Sequence, residues 1–356
     1  MLEQNRYHVL GVMSGTSLDG VDIAEVFLDY SISGWVFSFG KTKTYAYSEE
    51  WKKRLKNAVL LTDEQISRLD TQYTRLLSEL INTFILEKSI KNIDFVCSHG
   101  HTVFHQPEKG FTLQIGNSPT LAKAINQTVI CDFRKQDIAL GGQGAPLVPI
   151  GDELLFNEYD YCLNLGGFAN VSFKQNEKRI AYDICPANIV LNSFAQKLGF
   201  DYDNKGSLAQ KGTVNKTILR ELNKLPYYTT QPPKSLGIEW VEKNIMPVLT
   251  NSTASVYDKL CTLTEHIAQN IAEVFKTQTK VLVTGGGAYN AYLLERIKFY
   301  KKVKIIVPER TLIEFKESLI FALLGVLKMR NEINCLSSVT GARKDHSSGK
   351  IFLNKP

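Results

Sequence analysis

Apolar and polar residues near the start of the chain follow a pattern that predicts three β-strands. Apolar runs span residues 7–13 and 21–29, and a less regular run follows at 35–47. The first two runs flank GVMSGTSLDGVD, residues 11–22, which is rich in glycine and hydroxyl side chains. We therefore predict a hairpin with a polar turn. A turn of this composition is most often only a connection.

A helix is predicted after these strands. Thr62 stands three residues before Gln65, as in a capping box, and apolar residues recur at helical spacing from Ile66 to Phe84. Short buried strands are then predicted at three places, IDFVC (93–97), FTLQIG (111–116) and TVICDF (128–133). The first should lead into a glycine loop that carries His99 and His101.

The second half of the chain repeats this order of elements. The run DYCLNLGGFANVSFK (160–174) predicts a strand, a glycine turn and a strand, and RIAYDI (179–184) predicts a third strand. A helix over 253–276 and the strand and turn of KVLVTGGGA (280–288) follow. The repetition predicts two related α/β lobes, residues 1–130 and 131–356, that face each other across a cleft.

Composition narrows the class of protein. Of 356 residues, 44% are hydrophobic and 22% charged, and no run reaches the ~20 apolar residues of a membrane span. Because the N-terminal residues also lack a secretion signal, we expect a soluble, cytoplasmic protein with no membrane partner. The net charge of +6 is scattered without an aromatic platform, which argues against nucleic acid and suits a phosphorylated or carboxylated small substrate.

The cysteines do not suggest a metal or disulfide framework. None of the six forms a C-x-x-C pair, and most lie inside apolar runs. We predict buried thiols rather than disulfides or zinc ligands. His99 and His101 also lack a third ligand at metal-binding spacing.

The glycine turns suggest phosphate chemistry. The opening turn lacks the lysine of a P-loop and does not match G-x-G-x-x-G, so it fits neither common nucleotide-binding motif. As the turn of a hairpin, it could still bind phosphate oxygens through its backbone N–H groups and hydroxyls. Asp19 would hold Mg²⁺ through water. One such turn from each lobe would clamp a triphosphate, and TGGGAYN (284–290) would let a base or ribose approach the backbone. The predicted ATP- and phosphate-binding residues are Gly15, Thr16, Ser17, Leu18, Asp19, Gly20, Asn164, Gly166, Gly167, Gly285, Gly286 and Gly287.

Several segments, in order along nearly the whole chain, resemble the anhydro-N-acetylmuramic acid kinase family. They are GVMSGTSLDGVD, SHGHTVFHQP (98–107), FTLQIGN (111–117), DFRKQDIALGGQGAPLVP (132–149), NLGGFANVS (164–172), VTGGGAYN (283–290) and SVTGA (338–342). The resemblance implies a homodimer with the ribonuclease H-like lobes of the actin and hexokinase superfamily. It also implies an enzyme of cell-wall recycling that uses ATP and Mg²⁺ to open the 1,6-anhydro ring of its amino sugar with water and phosphorylate the freed 6-oxygen.

The resemblance also implies a catalytic base. The family motif F-D-T-G-P-G-N corresponds here to YDICPAN (182–188), which places the base at Asp183 and keeps Asn188 as a substrate contact. Isoleucine, cysteine and alanine replace three motif residues, whereas Asp183, Pro186 and Asn188 are retained. We therefore expect the chemistry to be kept and only close contacts with phosphate or sugar to be open to change. Pro186 fits the first turn of a following helix, whose positive end would lie beside the base. The structural alternative is that Asp183 merely ends a strand.

Other residues that match the family are assigned to the sugar. Arg134 would bind the lactyl carboxylate, although an ion pair with Asp132 or Asp137 is the structural alternative. His99 would donate to a sugar hydroxyl. Glu317 matches a glutamate that reaches the sugar, although a solvated acid in a first helical turn is the commoner case.

Two rival functions remain at this point. One is a different sugar kinase of the same superfamily, in which the altered YDICPAN turn changes the substrate. The other is a non-catalytic sensor of nucleotide or muropeptide.

Overall fold

Two β-sheets with helices form the computed structural model, which describes residues 5–15 and 17–354. The strands are β1 (Arg6–Ser14), β2 (Gly20–Ser31), β3 (Gly34–Ala46), β4 (Phe95–Gln106), β5 (Phe111–Ile115), β6 (Val129–Cys131), β7 (Tyr161–Leu165), β8 (Phe168–Gln175), β9 (Lys178–Pro186), β10 (Lys280–Thr284), β11 (Lys304–Ile306) and β12 (Lys350–Phe352). The helices are α1 (Glu49–Lys56), α2 (Asp63–Glu87), α3 (Pro119–Ile125), α4 (Lys135–Ala139), α5 (Pro149–Leu155), α6 (Asn188–Gln196), α7 (Lys216–Asn223), α8 (Ile238–Trp240), α9 (Met246–Thr250), α10 (Val256–Val274), α11 (Ala291–Tyr300), α12 (Arg310–Met329) and α13 (Ser337–Thr340).

The chain divides into two compact units. Unit 1 comprises Met1–Leu155 and Phe315–Pro356, and unit 2 comprises Phe156–Glu314. This division differs from the boundary near residue 130 in the sequence prediction. The difference arises because β6 completes the first sheet and the last forty or so residues return to unit 1, where β12 pairs with β6.

The sheet of unit 1 has the strand order β12-β6-β4-β1-β2-β3, and β5 pairs with β4. Strands β1, β2 and β3 form an antiparallel meander, whereas β4 lies parallel to β1 and β6 lies parallel to β4. Helix α2 packs its apolar residues into the core on this sheet. The predicted capping box at its start is confirmed, since the Thr62 hydroxyl accepts from the Gln65 N–H and the Gln65 side chain accepts from the Thr62 N–H.

The sheet of unit 2 repeats this order with fewer strands, as β11-β10-β7-β8-β9. Strands β7, β8 and β9 again form an antiparallel meander, and β10 lies parallel to β7. The core consists mainly of apolar residues from this sheet and from α6, α10 and α11. In each unit, three antiparallel strands are followed by parallel strands on the other side of the first. The two related α/β lobes predicted from the repetition are thus confirmed, and their strand order is the ribonuclease H-like order that the family resemblance implies.

The prediction of a glycine loop after residue 97 is wrong. Strand β4 continues to Gln106, because β5 pairs antiparallel with its second half, and His99 and His101 are buried within it. Gly100, at φ 72, allows the strand to change direction between the two histidines. The histidines are thus fixed by a sheet.

Helix α12 lies against the sheet of unit 1 at two glycines. A Cβ on Gly11 in β1 would stand 1.9 Å from the carbonyl oxygen of Ser318, and a Cβ on Gly325 would stand 2.0 Å from the Cys97 sulfur. Both distances are far below van der Waals contact. The absence of these two side chains sets how closely the helix packs on the sheet.

No helix in the described ranges combines the length and apolar character that a membrane span requires. All six cysteines are buried and none forms a disulfide, which confirms these two parts of the cysteine prediction.

The Gly325→Ala variant tests the close packing of α12. Alanine favours a helix over glycine by about 1 kcal/mol, so intrinsic propensity alone would stabilise the protein. We expect instead a loss of about 1–3 kcal/mol in the free energy of unfolding, measured by urea denaturation, since the new methyl group overlaps the Cys97 sulfur.

A double-mutant cycle provides the control. Adding Cys97→Ala removes the sulfur atom that the new methyl group overlaps. The second substitution should therefore restore much of the free energy of unfolding that Gly325→Ala removes. Strictly additive effects of the two substitutions would contradict this packing.

Candidate active site

The first predicted phosphate turn joins β1 to β2 in unit 1. Gly15 and Leu18 are partly exposed, whereas Ser17 and Asp19 are exposed. Thr16 lies outside the described residues. Gly20 is buried at the start of β2, where a Cβ would stand 2.3 Å from the carbonyl oxygen of Tyr45, so the base of the turn packs against β3. The turn therefore presents the Ser17 hydroxyl and the Asp19 carboxylate to solvent.

A buried chain of hydrogen bonds holds the start of this turn. The hydroxyl of Ser14, the last residue of β1, lies 2.7 Å from the Tyr47 hydroxyl and 2.9 Å from Nδ1 of His101, and Tyr47 bonds onward to Tyr73 at 2.6 Å. Burial lowers the pKa of His101 to about 4, so its ring is neutral at physiological pH. These neutral, hydrogen-bonded groups keep the end of β1 in place without introducing charge next to the turn.

Arg134 lies beside His99 in unit 1. Its Nε donates to Nε2 of His99 at 2.9 Å, and its Nη1 donates to the carbonyl of Gly144 at 2.7 Å. Nδ1 of His99 lies 2.9 Å from the carbonyl of Gly100, so the ring is neutral with its proton on Nδ1. Burial, aided by the positive charge of Arg134, holds the pKa of His99 well below its ordinary value.

These contacts exclude the alternative prediction that Arg134 forms an ion pair with Asp132 or Asp137. Asp132 forms its ion pairs with Lys135 and Lys350, at 3.5 and 3.2 Å, and not with Arg134. The hydrogen-bond partners of Arg134 are an imidazole and a carbonyl. Burial lowers the pKa of Arg134 to about 10, and it stays charged at neutral pH.

Glu317 stands in α12, two residues after Phe315, where the backbone departs from helical geometry. Its side chain is solvent-accessible. Desolvation by surrounding atoms nevertheless raises the pKa of the carboxyl group, and the charge of Arg134 opposes that shift. Unit 1 therefore places a cation and a carboxylate close enough to influence each other.

Unit 2 brings the two other predicted glycine turns together. Gly166 and Gly167 form the turn between β7 and β8, and Thr284 at the end of β10 pairs with Asn164. A Cβ on Gly285 would stand 2.6 Å from Oδ1 of Asn164, and one on Gly287 would stand 2.7 Å from the Leu165 side chain. Both turns thus lie side by side because these glycines have no side chain. Gly286 is exposed and has nothing within 4 Å of a Cβ position.

Asn188 links the hairpin of unit 2 to α6. Its side-chain amide donates to the Leu165 carbonyl at 2.9 Å, and its backbone N–H donates to the Gly166 carbonyl at 3.2 Å. The expectation that Pro186 begins this helix is wrong, because Pro186 ends β9 and pairs with Phe168. The first N–H groups of α6 are directed to the carbonyls of the glycine turn, which satisfies them within the protein.

Asp183 lies on β9, opposite Asn170 of β8, with a half-buried side chain. Its Oδ2 accepts from the Leu236 N–H at 2.9 Å, and no other described residue bonds to its carboxylate. Desolvation raises the pKa of Asp183, and the hydrogen bond from Leu236 opposes the shift. One carboxylate oxygen is thereby oriented, and the other is left for a ligand or water.

The sequence interpretation missed the segment that surrounds Asp183. The Tyr227 hydroxyl donates to the main-chain carbonyl of Asp183 at 2.6 Å, and the Asp183 N–H donates to the carbonyl of Lys234 at 3.3 Å. Nζ of Lys234 lies 4.6 Å from the centre of the Tyr227 ring. The run QPPKSLG (231–237) indicates a loop, but nothing in it signals contact with a strand some fifty residues earlier.

Each unit thus has a glycine turn after the first strand of the same sheet order, and unit 2 adds a second glycine turn and an oriented carboxylate. These features define an α/β protein of the actin and hexokinase type. The family profile described as anhydro-N-acetylmuramic acid kinase matches residues 7–354.

Individual relatives agree with that match. The chain is 34% identical to the anhydro-N-acetylmuramic acid kinase of Sulfurimonas denitrificans, over 96% of this chain and 98% of that protein. It is 32% identical to the enzyme of the same name from Pseudomonas fluorescens, over 97% of this chain and 99% of that protein. The chain belongs to the anhydro-N-acetylmuramic acid kinase family.

Among solved structures, the activator of the 2-hydroxyisocaproyl-CoA dehydratase from Clostridium difficile with bound ADPNP is a distant match. Its TM-score is 0.43 at 13% identity, and the match covers 89% of this chain and 93% of that one.

Adjacent glycines in unit 2 provide a matched test of the turn packing. Gly287→Ala places a methyl group 3.0 Å or less from Leu165, so we expect it to lower the free energy of unfolding by about 1–3 kcal/mol. Gly286→Ala meets open space and should change stability by less than about 0.5 kcal/mol. Urea denaturation of both variants measures the difference. Equal effects of the two substitutions would contradict the packing of this turn.

Proposed function

We propose that this protein is an ATP-dependent kinase that converts 1,6-anhydro-N-acetylmuramic acid and water into N-acetylmuramic acid 6-phosphate. Membership of the family over residues 7–354 supports the reaction. The observation that carries the proposal is the half-buried carboxylate of Asp183, which is oriented through one oxygen. The reaction belongs to cell-wall recycling, and its partner is a small anhydro amino sugar.

Asp183 acts as the general base. Its raised pKa makes the carboxylate a better proton acceptor than an ordinary aspartate, while the Leu236 N–H keeps it ionised and directed. The carboxylate removes a proton from water as the water oxygen bonds to the anomeric carbon. The bond from that carbon to the bridging oxygen breaks, and the freed 6-oxygen attacks the γ-phosphorus of ATP, releasing ADP. The three altered residues of YDICPAN, Ile184, Cys185 and Ala187, are all buried in the core, and none of them replaces the carboxylate that acts as the base.

The glycine turns bind ATP. The hairpin of unit 1, residues 15–20, supplies N–H groups and the Ser17 hydroxyl to phosphate oxygens. In unit 2, the Gly166–Gly167 turn contributes to phosphate binding. The 285–287 turn lets the adenosine approach the backbone, because Gly286 leaves open space there.

Mg²⁺ fits the first hairpin. Asp19 offers an exposed carboxylate at the turn, and Mg²⁺ prefers oxygen ligands while it keeps several bound waters. When bound, the ion offsets negative charge on the transferring phosphoryl group. Asp19 would hold it through water.

Arg134 binds the lactyl carboxylate of the sugar. Of its five N–H donors, one on Nε and one on Nη1 are directed to His99 and Gly144, which leaves the second N–H of Nη1 and both of Nη2 for a two-point contact. Glu317 contacts the sugar hydroxyls near this guanidinium. Both ring nitrogens of His99 have protein partners, so we assign it to positioning Arg134 and not to direct contact with the sugar. We further propose a cytoplasmic homodimer, as the family resemblance implies.

The Asp183→Asn variant tests the base. We expect kcat to fall by about 10²–10⁴-fold because the amide cannot accept a proton from water. ATP binding, measured by calorimetry, should stay within about twofold of the parent. Asp201→Asn is the matched control, because Asp201 is an exposed acid of the same unit. Turnover by Asp183→Asn at the parental rate would exclude the general-base role.

The pH dependence follows from the same residue. A base is active when it is deprotonated, so kcat/KM should fall as the pH falls through the pKa of Asp183. Because desolvation raises that pKa above its ordinary value of 3.8, the acidic limb should lie above 3.8. The control variant Asp201→Asn should have the same acidic limb in its pH profile of kcat/KM as the parent. An acidic limb at or below 3.8 would contradict the environment described for Asp183.

Arg134→Lys tests the carboxylate contact. Lysine keeps the charge but loses the planar fork, so KM for the anhydro sugar should rise by at least about tenfold, while KM for ATP changes little. Lys135→Gln, at the exposed neighbouring position, should change neither constant. If both KM values rise equally in Arg134→Lys, the residue does not bind the sugar selectively.

A further inference from the structure

A buried cluster in unit 1 combines a carboxylate, a thiol and an imidazole that the proposed reaction does not use. Asp137, Cys335 and His346 are 0%, 1% and 6% exposed. Asp137 is distant in sequence from Cys335 and His346, but one ligand atom from each of the three residues lies within 4.8 Å of the others. Cys335 and His346 face each other across an isolated antiparallel bridge, which fixes their backbones.

The spacing of these atoms suits a tetrahedral cation. Sγ of Cys335 lies 3.1 Å from Oδ1 of Asp137, and Nε2 of His346 lies 3.6 Å from the same oxygen. Zinc bonds to sulfur at about 2.3 Å and to nitrogen and oxygen at about 2.0–2.2 Å, so a zinc tetrahedron has N–O edges of about 3.3–3.6 Å and S–O edges of about 3.5–3.7 Å. The Nε2–Oδ1 separation matches its edge. The Sγ–Oδ1 separation, at which the thiol donates to the carboxylate, is about half an ångström shorter than its edge, so the sulfur would move outward when the ion binds.

His346 provides an independent indication of a ligand. Its Nε2 is buried and has no hydrogen-bond partner. Its Nδ1 lies 3.2 Å from the carbonyl of Lys344, which places the proton on Nδ1 and leaves a lone pair on Nε2 directed into the cluster. An imidazole held in this way by a backbone carbonyl is the arrangement found in metal-binding histidines.

The surroundings of Asp137 also resemble those of a held ligand. The Thr340 hydroxyl donates to Oδ1 and the Gly144 N–H donates to Oδ2, both at 2.7 Å, and these bonds orient the carboxylate. No lysine or arginine in the described ranges forms an ion pair with it. A divalent cation would balance the charge of the carboxylate and of a Cys335 thiolate, so the buried site would be neutral.

We propose that Asp137, Cys335 and His346 bind zinc in the interior of unit 1, with a water molecule that enters with the ion as the fourth ligand. Binding forms the Zn–S bond as the thiol proton is released to solvent. The mixed sulfur, nitrogen and oxygen donors suit Zn²⁺ and argue against Mg²⁺ or Ca²⁺. Zinc would also secure the loop of Arg134, because Asp137 holds the Gly144 N–H and the Gly144 carbonyl accepts from Arg134.

Metal analysis of the full chain, expressed without a histidine tag, tests this site. After dialysis against zinc and then against buffer, mass spectrometry of the elements should find close to one zinc per chain. In Co²⁺-exchanged protein, absorption should show the visible bands of a tetrahedral ion and a thiolate-to-metal charge-transfer band. Protein that takes up neither metal, or a Co²⁺ spectrum without the thiolate band, would overturn the proposal.

Three variants locate the metal. Cys335→Ser and His346→Gln should each reduce bound zinc by at least about tenfold after the same dialysis. Cys261→Ser, which removes a buried thiol in unit 2, should retain the parental content. Zinc content unchanged in both cluster variants would also overturn the proposal. If the cluster variants do not fold, the stoichiometry and Co²⁺ spectrum of the parent chain decide alone.

Discussion

The close approach of backbone segments at a few glycines is the constraint on which the rest of the structure depends. In unit 2, the turn of residues 285–287 can rest on Leu165 only because Gly285 and Gly287 have no side chains. The same hairpin accepts the side chain of Asn188, so both glycine turns and the start of α6 are fixed together. In unit 1, the absence of side chains at Gly11 and Gly325 likewise lets α12, which carries Glu317, pack closely on the sheet. The glycine turn of residues 285–287 and helix α12 are therefore placed by packing that leaves no room for a methyl group at Gly11, Gly285, Gly287 or Gly325.

Three carboxylates in the protein have different environments and hence different chemistry. Asp183 is half-buried, which raises its pKa, and its carboxylate has one hydrogen bond, which leaves the other oxygen able to accept a proton. Glu317 is accessible and lies under the influence of Arg134, which suits contact with a polar substrate. Asp137 is fully buried and is held through both oxygens, so it serves the local structure. Residue type alone does not distinguish these roles, because burial and hydrogen-bond partners set them.

Much of the fold could be predicted from sequence, because its signals are local. The alternating strands, the Thr62 capping box and the glycine turns each depend on residues within a few positions. Features that depend on distant residues could not be predicted in this way. The pairing of β5 with β4 turns a predicted loop into a buried strand, and the return of α12 and β12 to unit 1 moves the unit boundary. The Leu236 contact with Asp183 and the meeting of Cys335 with Asp137 likewise join residues far apart in sequence.

The central claim is that water attacks the anomeric carbon while the 6-oxygen of the sugar receives the phosphoryl group. Turnover of anhydro-N-acetylmuramic acid with ATP in ¹⁸O-labelled water, followed at early times by mass spectrometry with fragmentation, tests it most directly. The account predicts N-acetylmuramic acid 6-phosphate with the label at carbon 1 and none in its phosphate group. Unlabelled sugar phosphate, or label recovered only in free inorganic phosphate, would contradict it.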